Sequence, residues 1–439
     1  FETEPTNGVT VAGASGVGMF TRANQPYYEY DDNPADENPA NELGGDGILS
    51  SGETTLGKPW AFDLHGATEF TFTVYVTAEV PSAQTALIQL ASISTGGGHV
   101  CGLTPQGQAY CWGSNFYGQL GDSTQTTRTV PAAVHQPQGV RFDRIYAGTG
   151  RTCALTAAGA AYCWGAYVFT PRPLEHPQGV AFSDMAMGVN HVCAVSTAGQ
   201  AYCWGENAQA QLGDGSVTPS DTAVKVTQPA GVVFQKVGAG QYHSCALDGT
   251  GQAWCWGSNY NGQLGDSTTV QRRGATAVRQ GSVQFGQLAV GYNHTCALTA
   301  VGQAYCWGEN YYGNVGDSTQ TDRHKPVAVK QTGLTFSRIT AGSHHTCAVA
   351  GTGQAYCWGS NVYGELGNDG SDPEPAPVAV HQGGASYIQV SAGSPGAYTC
   401  AVATTGSGYC WGNNGDGVLG VGYQNGQQPV PVPVAGTRG

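Results

Sequence analysis

The chain has 439 residues, of which 11% are charged against roughly 25% in an average globular protein, and 30 carboxylates face 17 Lys plus Arg. A net charge of −13 repels phosphate backbones and leaves no basic stripe, so nucleic acid is excluded as a partner; no apolar run is long enough for membrane insertion. The 67 glycines, about twice the usual share of roughly 7%, fit many short strands joined by tight turns.

Residues 1–82 read as strands: NGVTVAGA, VGMFTRA, YYEY, GILSSGET, KPWAFDL and the alternating FTFTVYVTAEV, with Pro81 opening a short linker. This predicts a small β-sandwich-like domain near the lower size limit for burying its own core. If that sandwich is incomplete, its extended start, FETEPTNGVTVAG, pairs with a neighbouring subunit by strand addition and builds a homopolymer; the simpler reading pairs it within its own chain. Between these strands, DDNPADENPANELGGDG concentrates Asp31, Asp32, Asp36, Glu37, Glu42 and Asp46. Asp31, Asp32, Asp36, Glu37 and Asp46 are calcium candidates by their hard oxygens, but the spacing is not that of an EF-hand, and a solvated acidic loop is the simpler reading. No other cofactor is implied. A start at Phe1 without a signal-like segment fits a chain whose targeting segment was removed, or a piece of a longer one.

From residue 83 onward the chain repeats itself. Seven cysteine pairs, each ten residues apart, stand at Cys101 and Cys111, Cys153 and Cys163, Cys193 and Cys203, Cys245 and Cys255, Cys296 and Cys306, Cys347 and Cys357, and Cys400 and Cys410. The first members are 52, 40, 52, 51, 51 and 53 residues apart. A period near 50 with strand-like content predicts a propeller whose copies are four-stranded blades. One copy parses as TFSRITAG, HHTCAVAG, QAYCWGSN and, after a polar loop, APVAV.

The ten-residue spacing has a geometric reading. In CGLTPQGQAYC, a loop of Pro105, Gln106 and Gly107 places Thr104 opposite Gln108 and therefore Cys101 opposite Cys111. A glycine ends the loop in every copy, where a positive φ is needed. The cysteines then form a non-hydrogen-bonded pair with Cα atoms roughly 4.5 Å apart, within reach of a disulfide. Structural disulfides imply an oxidising, extracellular or cell-surface location. Metal is the competing reading, because His99, His191, His243, His294 and His345 stand two residues before the first Cys and share its face. Arg151 and Tyr398 replace them in the other two copies, which weakens it.

The pattern G-x-x-H-T-C-A-L-T-x-x-G-Q-A-Y-C-W-G-S-N-x-Y-G-Q-L-G-D-S-T, clearest at residues 291–310 and 245–267, resembles the regulator-of-chromosome-condensation repeat. The resemblance covers residues 83–439 and implies a seven-bladed β-propeller of the secreted bacterial type, here with one hairpin disulfide per blade. Its members are mostly protein-interaction platforms, among them a nuclear exchange factor, a plant ultraviolet photoreceptor and a β-lactamase inhibitor. The photoreceptor's light-sensing tryptophans precede the His by two residues, where this chain has Gln241, Tyr292 and Ser343. Its own Trp112, Trp164, Trp204, Trp256, Trp307, Trp358 and Trp411 belong to the Trp-Gly element and read as blade packing.

Three further expectations follow. The second copy lacks the GQLGDST-like segment, so a notch is expected beside blade two, either as a partner site or as a plain loop deletion. Asp122, Asp214, Asp266 and Asp317, with Asn368, could form a cation-binding rim, although Asp after Gly more often satisfies turn amides. The terminal runs TALIQLASIS and PVPVPVAG are expected to combine in one blade and close the ring. Chemistry-capable residues recur once per blade, as structural parts do, so the expected function is a non-enzymatic binding scaffold with a protein or cell-surface partner; an inhibitor of the β-lactamase-inhibitor type or an enzyme with a central cleft are the alternatives.

Overall fold

A computed structural model describes residues 87–174 and 179–437, together with the strands Thr10–Ala12, Gly16–Gly18, Gln25–Tyr27 and Ala61–Asp63. The chain divides into two compact units, Phe1–Ala86 and Leu87–Gly439. In the first, Thr10–Ala12 pairs antiparallel with Ala61–Asp63 of the same chain, and Gly16–Gly18 with Gln25–Tyr27. The calcium candidates Asp31, Asp32, Asp36, Glu37 and Asp46 lie outside the described residues, as does most of the segment read as a sandwich.

The second unit is built on the cysteine hairpin. Thr104 N donates to Gln108 O and Gly107 N to Thr104 O, both at 2.9 Å, closing the three-residue loop with Gly107 at φ 78°. A Cβ there would stand 2.7 Å from Phe142 O, so glycine is required on two counts. Counting outward, Cys101 meets Cys111. The same register brings Cys153 to Cys163, Cys193 to Cys203 and Cys245 to Cys255 in the next three copies. It brings Cys296 to Cys306, Cys347 to Cys357 and Cys400 to Cys410 in the last three. All seven pairs are disulfides, and their Cα atoms stand 4.0–4.1 Å apart, slightly closer than the roughly 4.5 Å of an unlinked pair because the bond draws the strands together. With both sulfurs in that bond, the histidine and cysteines offer no shared metal-ligand set.

Each hairpin supplies the second and third strands of an antiparallel four-stranded sheet. In blade 5 the four strands are Phe285–Val290, His294–Thr299, Ala304–Gly308 and Arg323–Ala328. First strands of neighbouring blades lie against one another around the axis. The seven sheets form a seven-bladed β-propeller with the core between blades rather than within them. In one such junction Cys296, Leu298 and Val315 of blade 5 pack with Phe336, Ala348 and Trp358 of blade 6. An aromatic of this size buries on the order of 200 Å², or about 5 kcal/mol of hydrophobic stabilisation before the entropy cost.

Ring closure differs from the expectation. Blade 1 is Ser92–Thr95 through Arg128–Ala133, and blade 7 is Tyr387–Ala392 through Gln427–Pro433, so neither mixes strands from the two ends. Seven complete blades leave no strand to exchange. Instead the ordinary junction closes the circle: Leu90, Ile93, Val100 and Trp112 pack on Tyr398, Val402, Leu419 and Val434. Ile88 and Thr437 add a single parallel bridge, and the Gln389 side-chain amide bonds both N and O of Ile93.

Candidate interaction face

Antiparallel order places the loops between strands one and two, and between strands three and four, on one face of the disc. The longer loops follow a common plan set by a buried asparagine. Asn115 accepts from Leu120 N through Oδ1 (3.0 Å) and donates through Nδ2 to Asp122 Oδ1 (3.0 Å) and Thr124 O (3.0 Å). Asn207, Asn259, Asn310, Asn361 and Asn414 repeat the Oδ1 bond. The leucine thereby fixed, Leu120, is completely buried, which pushes the preceding Phe116 and Tyr117 outward.

The loops are also fastened to the next blade. Gln263 O in blade 4 accepts from Thr295 Oγ1 (3.0 Å) and from Trp307 Nε1 (2.9 Å), both in blade 5. Because Thr295 Oγ1 donates there, it accepts from His243 Nε2 at 3.0 Å, which fixes that tautomer. The same bolt joins His99 to Thr152, His191 to Ser244, His294 to Thr346 and His345 to Thr399. Burial pushes the histidines down, His191 to about 4 and the other four to about 3, so they are neutral. The five histidines are therefore inter-blade fasteners, and Trp112, Trp256, Trp307, Trp358 and Trp411 pack and donate across junctions of the same kind.

The two exceptions are matched on both sides. Where Arg151 and Tyr398 replace His, the following blade carries Val192 and Val100 in place of the hydroxyl residue. Tyr398 OH lies instead 2.8 Å from Gly96 O and 2.9 Å from His99 O. The junction of blades 2 and 3 has its own fastening: Asp184 of blade 3 accepts from Arg144 Nη1 (3.0 Å) and Tyr146 OH (3.3 Å) of blade 2, and also from Val237 N (3.1 Å) of blade 4. Burial raises the Asp184 pKa against the pull of Lys236, Val237 N and Arg144. This covariation between the position two before one cysteine and the position before the next blade's cysteine was a readable signal in the sequence.

The aspartate rim is already occupied by protein donors. Asp122 Oδ1 accepts from Thr124 N and Oγ1 while Oδ2 meets Arg128 at 2.8 Å; Asp266 and Asp317 do the same with Thr268 and Arg272, and with Thr319 and Arg323. Desolvation opposes their charge, but these hydrogen bonds outweigh it and hold the three carboxyls below the usual range. Asp214 accepts from Asn207 and Ser216, and Asn368 from Asn361 and Gly370 N. The rim is thus a set of braced turns, the role expected of Asp after Gly.

In blade 2 the missing segment is reduced to Ala166 and Tyr167, both at positive φ, which turn directly into Val168–Pro173. Tyr167 packs against Tyr117 (5.5 Å between ring centroids), and Tyr117 against Phe116 (5.0 Å). With Phe169, the shortened loop carries an aromatic cluster. Across the described residues, the exposed aromatics are Phe116, Tyr117, Tyr167, Phe169, Tyr242, Tyr260, Tyr311, Tyr363 and Tyr423. Every one belongs to this face.

Comparison with known proteins agrees with this architecture. An RCC1-like domain model matches residues 166–396, and regulator of chromosome condensation (RCC1) repeat models match 90–119 and 106–155. The ultraviolet-B receptor UVR8 of Arabidopsis thaliana is 29% identical over 341 residues, covering 76% of this chain and 67% of that one. The probable E3 ubiquitin-protein ligase HERC4 of Homo sapiens is 30% identical over 201 residues, 45% of this chain but only 19% of its own length. Human WBSCR16 superposes with TM-score 0.66 at 19% identity, covering 75% of this chain and 94% of that one. Prp20p of Saccharomyces cerevisiae, described with its binding to Gsp1p and histones, gives 0.66 at 22%, covering 76% and 87%. At such identities the structures show the fold alone. The domain model spans more than half of the chain, and the chain belongs to the regulator of chromosome condensation repeat family.

Proposed function

We propose that the chain is a non-enzymatic protein-interaction scaffold that works outside the cell, with the aromatic loop face as its docking surface. The observation that carries this reading is the confinement of all the exposed aromatics among the described residues to one face, on loops bolted to the following blade. Tyrosine and phenylalanine supply large contact area at low conformational cost, and loops already fixed lose little entropy on binding. The extracellular address is supported by the seven hairpin disulfides, which need an oxidising compartment to form.

The test compares the full chain with a triple variant, Phe116→Ser with Tyr260→Ser and Tyr311→Ser, as bait for proteins from its native extracellular medium. A partner retained by the parent and by a hairpin-face variant such as Lys330→Ser, but lost by the triple variant, supports the reading. Equal retention on all three baits refutes it. Polymer growth by strand addition at FETEPTNGVTVAG belongs to the same proposal. It predicts a mass that rises with concentration in sedimentation, and a constant monomer mass rejects it.

A further inference from the structure

The opposite face, formed by the Cys hairpins and the connectors from fourth to first strands, has a different chemistry. None of the exposed aromatics lies there, and several exposed cations without an ion-pair partner do. Arg141 precedes the first strand of blade 2, and Arg279 and Lys330 follow the fourth strands of blades 4 and 5; all three are exposed, and their side chains make no ion pair among the described residues. The described carboxylates on these segments are few. Asp143 sits 3.6 Å from Arg144, Asp184 is buried, and Asp248 is consumed by Thr250, Gln252 N and Trp254 Nε1. In a chain of net charge −13, cations thus outnumber carboxylates among the described residues of this face.

Around the axis at this end runs one residue per blade in equivalent register: Ser92, Arg144, Asp184, Lys236, Gln287, Arg338 and Gln389, each opposite a Leu or Val of the second strand. Several of them suture neighbouring first strands. Arg144 holds Ser183 O and Asp184, Asp184 holds Val237 N, Gln287 donates to Ser337 O, and Gln389 grips Ile93. Arg338 departs from that pattern. Its guanidinium is exposed and has no hydrogen bond or ion pair among the described residues. Beside it lies an open depression of about 480 Å³ between blades 6 and 7, lined by Ser337, Thr352, Ser386 and Thr404, with Ile388 at 45% exposure on its wall.

We infer that this depression, with Arg338 as its anchor, binds an acidic peptide segment of a partner protein. A planar guanidinium with the hydroxyls of Thr352, Ser386 and Thr404 around it matches a carboxylate, while Ser337 already donates to Val349 O, and Lys236, Lys330 and Arg279 supply a surrounding field for further acidic residues. A peptide fits better than a polynucleotide, because among the described residues this face exposes no Phe, Tyr or Trp ring, only the separate imidazoles of His135 and His381, and so lacks an aromatic platform for successive bases. The site is separate from the aromatic face and does not depend on the function proposed for it.

Fluorescence anisotropy of the full chain with a labelled hexaglutamate peptide tests the inference. Arg338→Ser should weaken binding about fivefold, Arg338→Lys less because the fork is lost but the charge kept, and Tyr260→Ser on the other face should leave it unchanged. Arg338 is exposed and unpartnered, so its replacement leaves the fold intact; Lys330→Ser gives a second, smaller loss that a peptide lying across the face requires. Binding by Arg338→Ser equal to the parent, or tighter binding of a single-stranded oligonucleotide of equal charge, overturns the assignment.

Discussion

Acidification should unfasten the ring from inside. His99, His191, His243, His294 and His345 are buried and neutral, with pKa values of about 3 to 4 against about 6.5 when unfolded. A depressed value in the folded state means that the stability these groups contribute is fully present above about pH 6.5 and is lost as pH falls toward 4. At pH 5 each unfolded imidazole is almost fully protonated and each folded one almost bare. Unfolding at that pH should therefore take up about 0.9 proton per histidine, roughly 4 to 5 in all. The matching free energy is about 2 kcal/mol per histidine, on the order of 10 kcal/mol for the set relative to pH 7 or above. Among the described residues the groups with opposite sign in this window are Asp184 and Asp416, raised by burial, which together release at most two protons. Calorimetric unfolding at pH 5 in buffers of different ionisation enthalpy measures the balance. Uptake of one proton or fewer would refute the assignment of these histidines as neutral inter-blade donors.

Three further outcomes follow from the same junctions and hairpins. Thr346→Val leaves the His294 Nε2 proton buried without an acceptor and should cost about 1–3 kcal/mol in urea unfolding; His294→Tyr added to it should recover part of the loss, as the Tyr398 and Val100 pairing does, and strict additivity would argue against the bolt. Removing one bridge by replacing both Cys296 and Cys306 with Ala should lower stability by about 2–3 kcal/mol, the chain-entropy value for a short loop, while near-ultraviolet circular dichroism keeps the folded signature; an unchanged urea midpoint would count against a stabilising bridge. Gly107→Ala, at φ 78° and facing Phe142 O, should cost at least about 1–2 kcal/mol, whereas the same change at Gly139, where an added Cβ meets nothing within 4 Å, should cost less; equal effects in thermal melts would refute the steric part of the argument.

The architecture was legible because its causes are local. Ten residues between cysteines, a glycine at the end of the loop and strand alternation fix the hairpin register whatever surrounds it, and seven repeats of one period leave little choice of fold. The exchange of His and Thr for Arg151 and Val192, and for Tyr398 and Val100, was also written there, but its meaning requires residues some fifty positions apart to touch. Ring closure was misjudged because the phase at which a blade begins depends on the packing of the ends, not on the repeat.

What the chain by itself determined, then, is the unit: strand, disulfide hairpin, tryptophan and braced turn, each held by contacts close in sequence. Only the folded ring decided the sidedness of the disc. Aromatic rings spread from Phe116 to Tyr423 gather on one face, and Arg141, Arg279, Lys330 and Arg338 on the other, because strand direction, which no single repeat reveals, assigns every loop to an end of the axis.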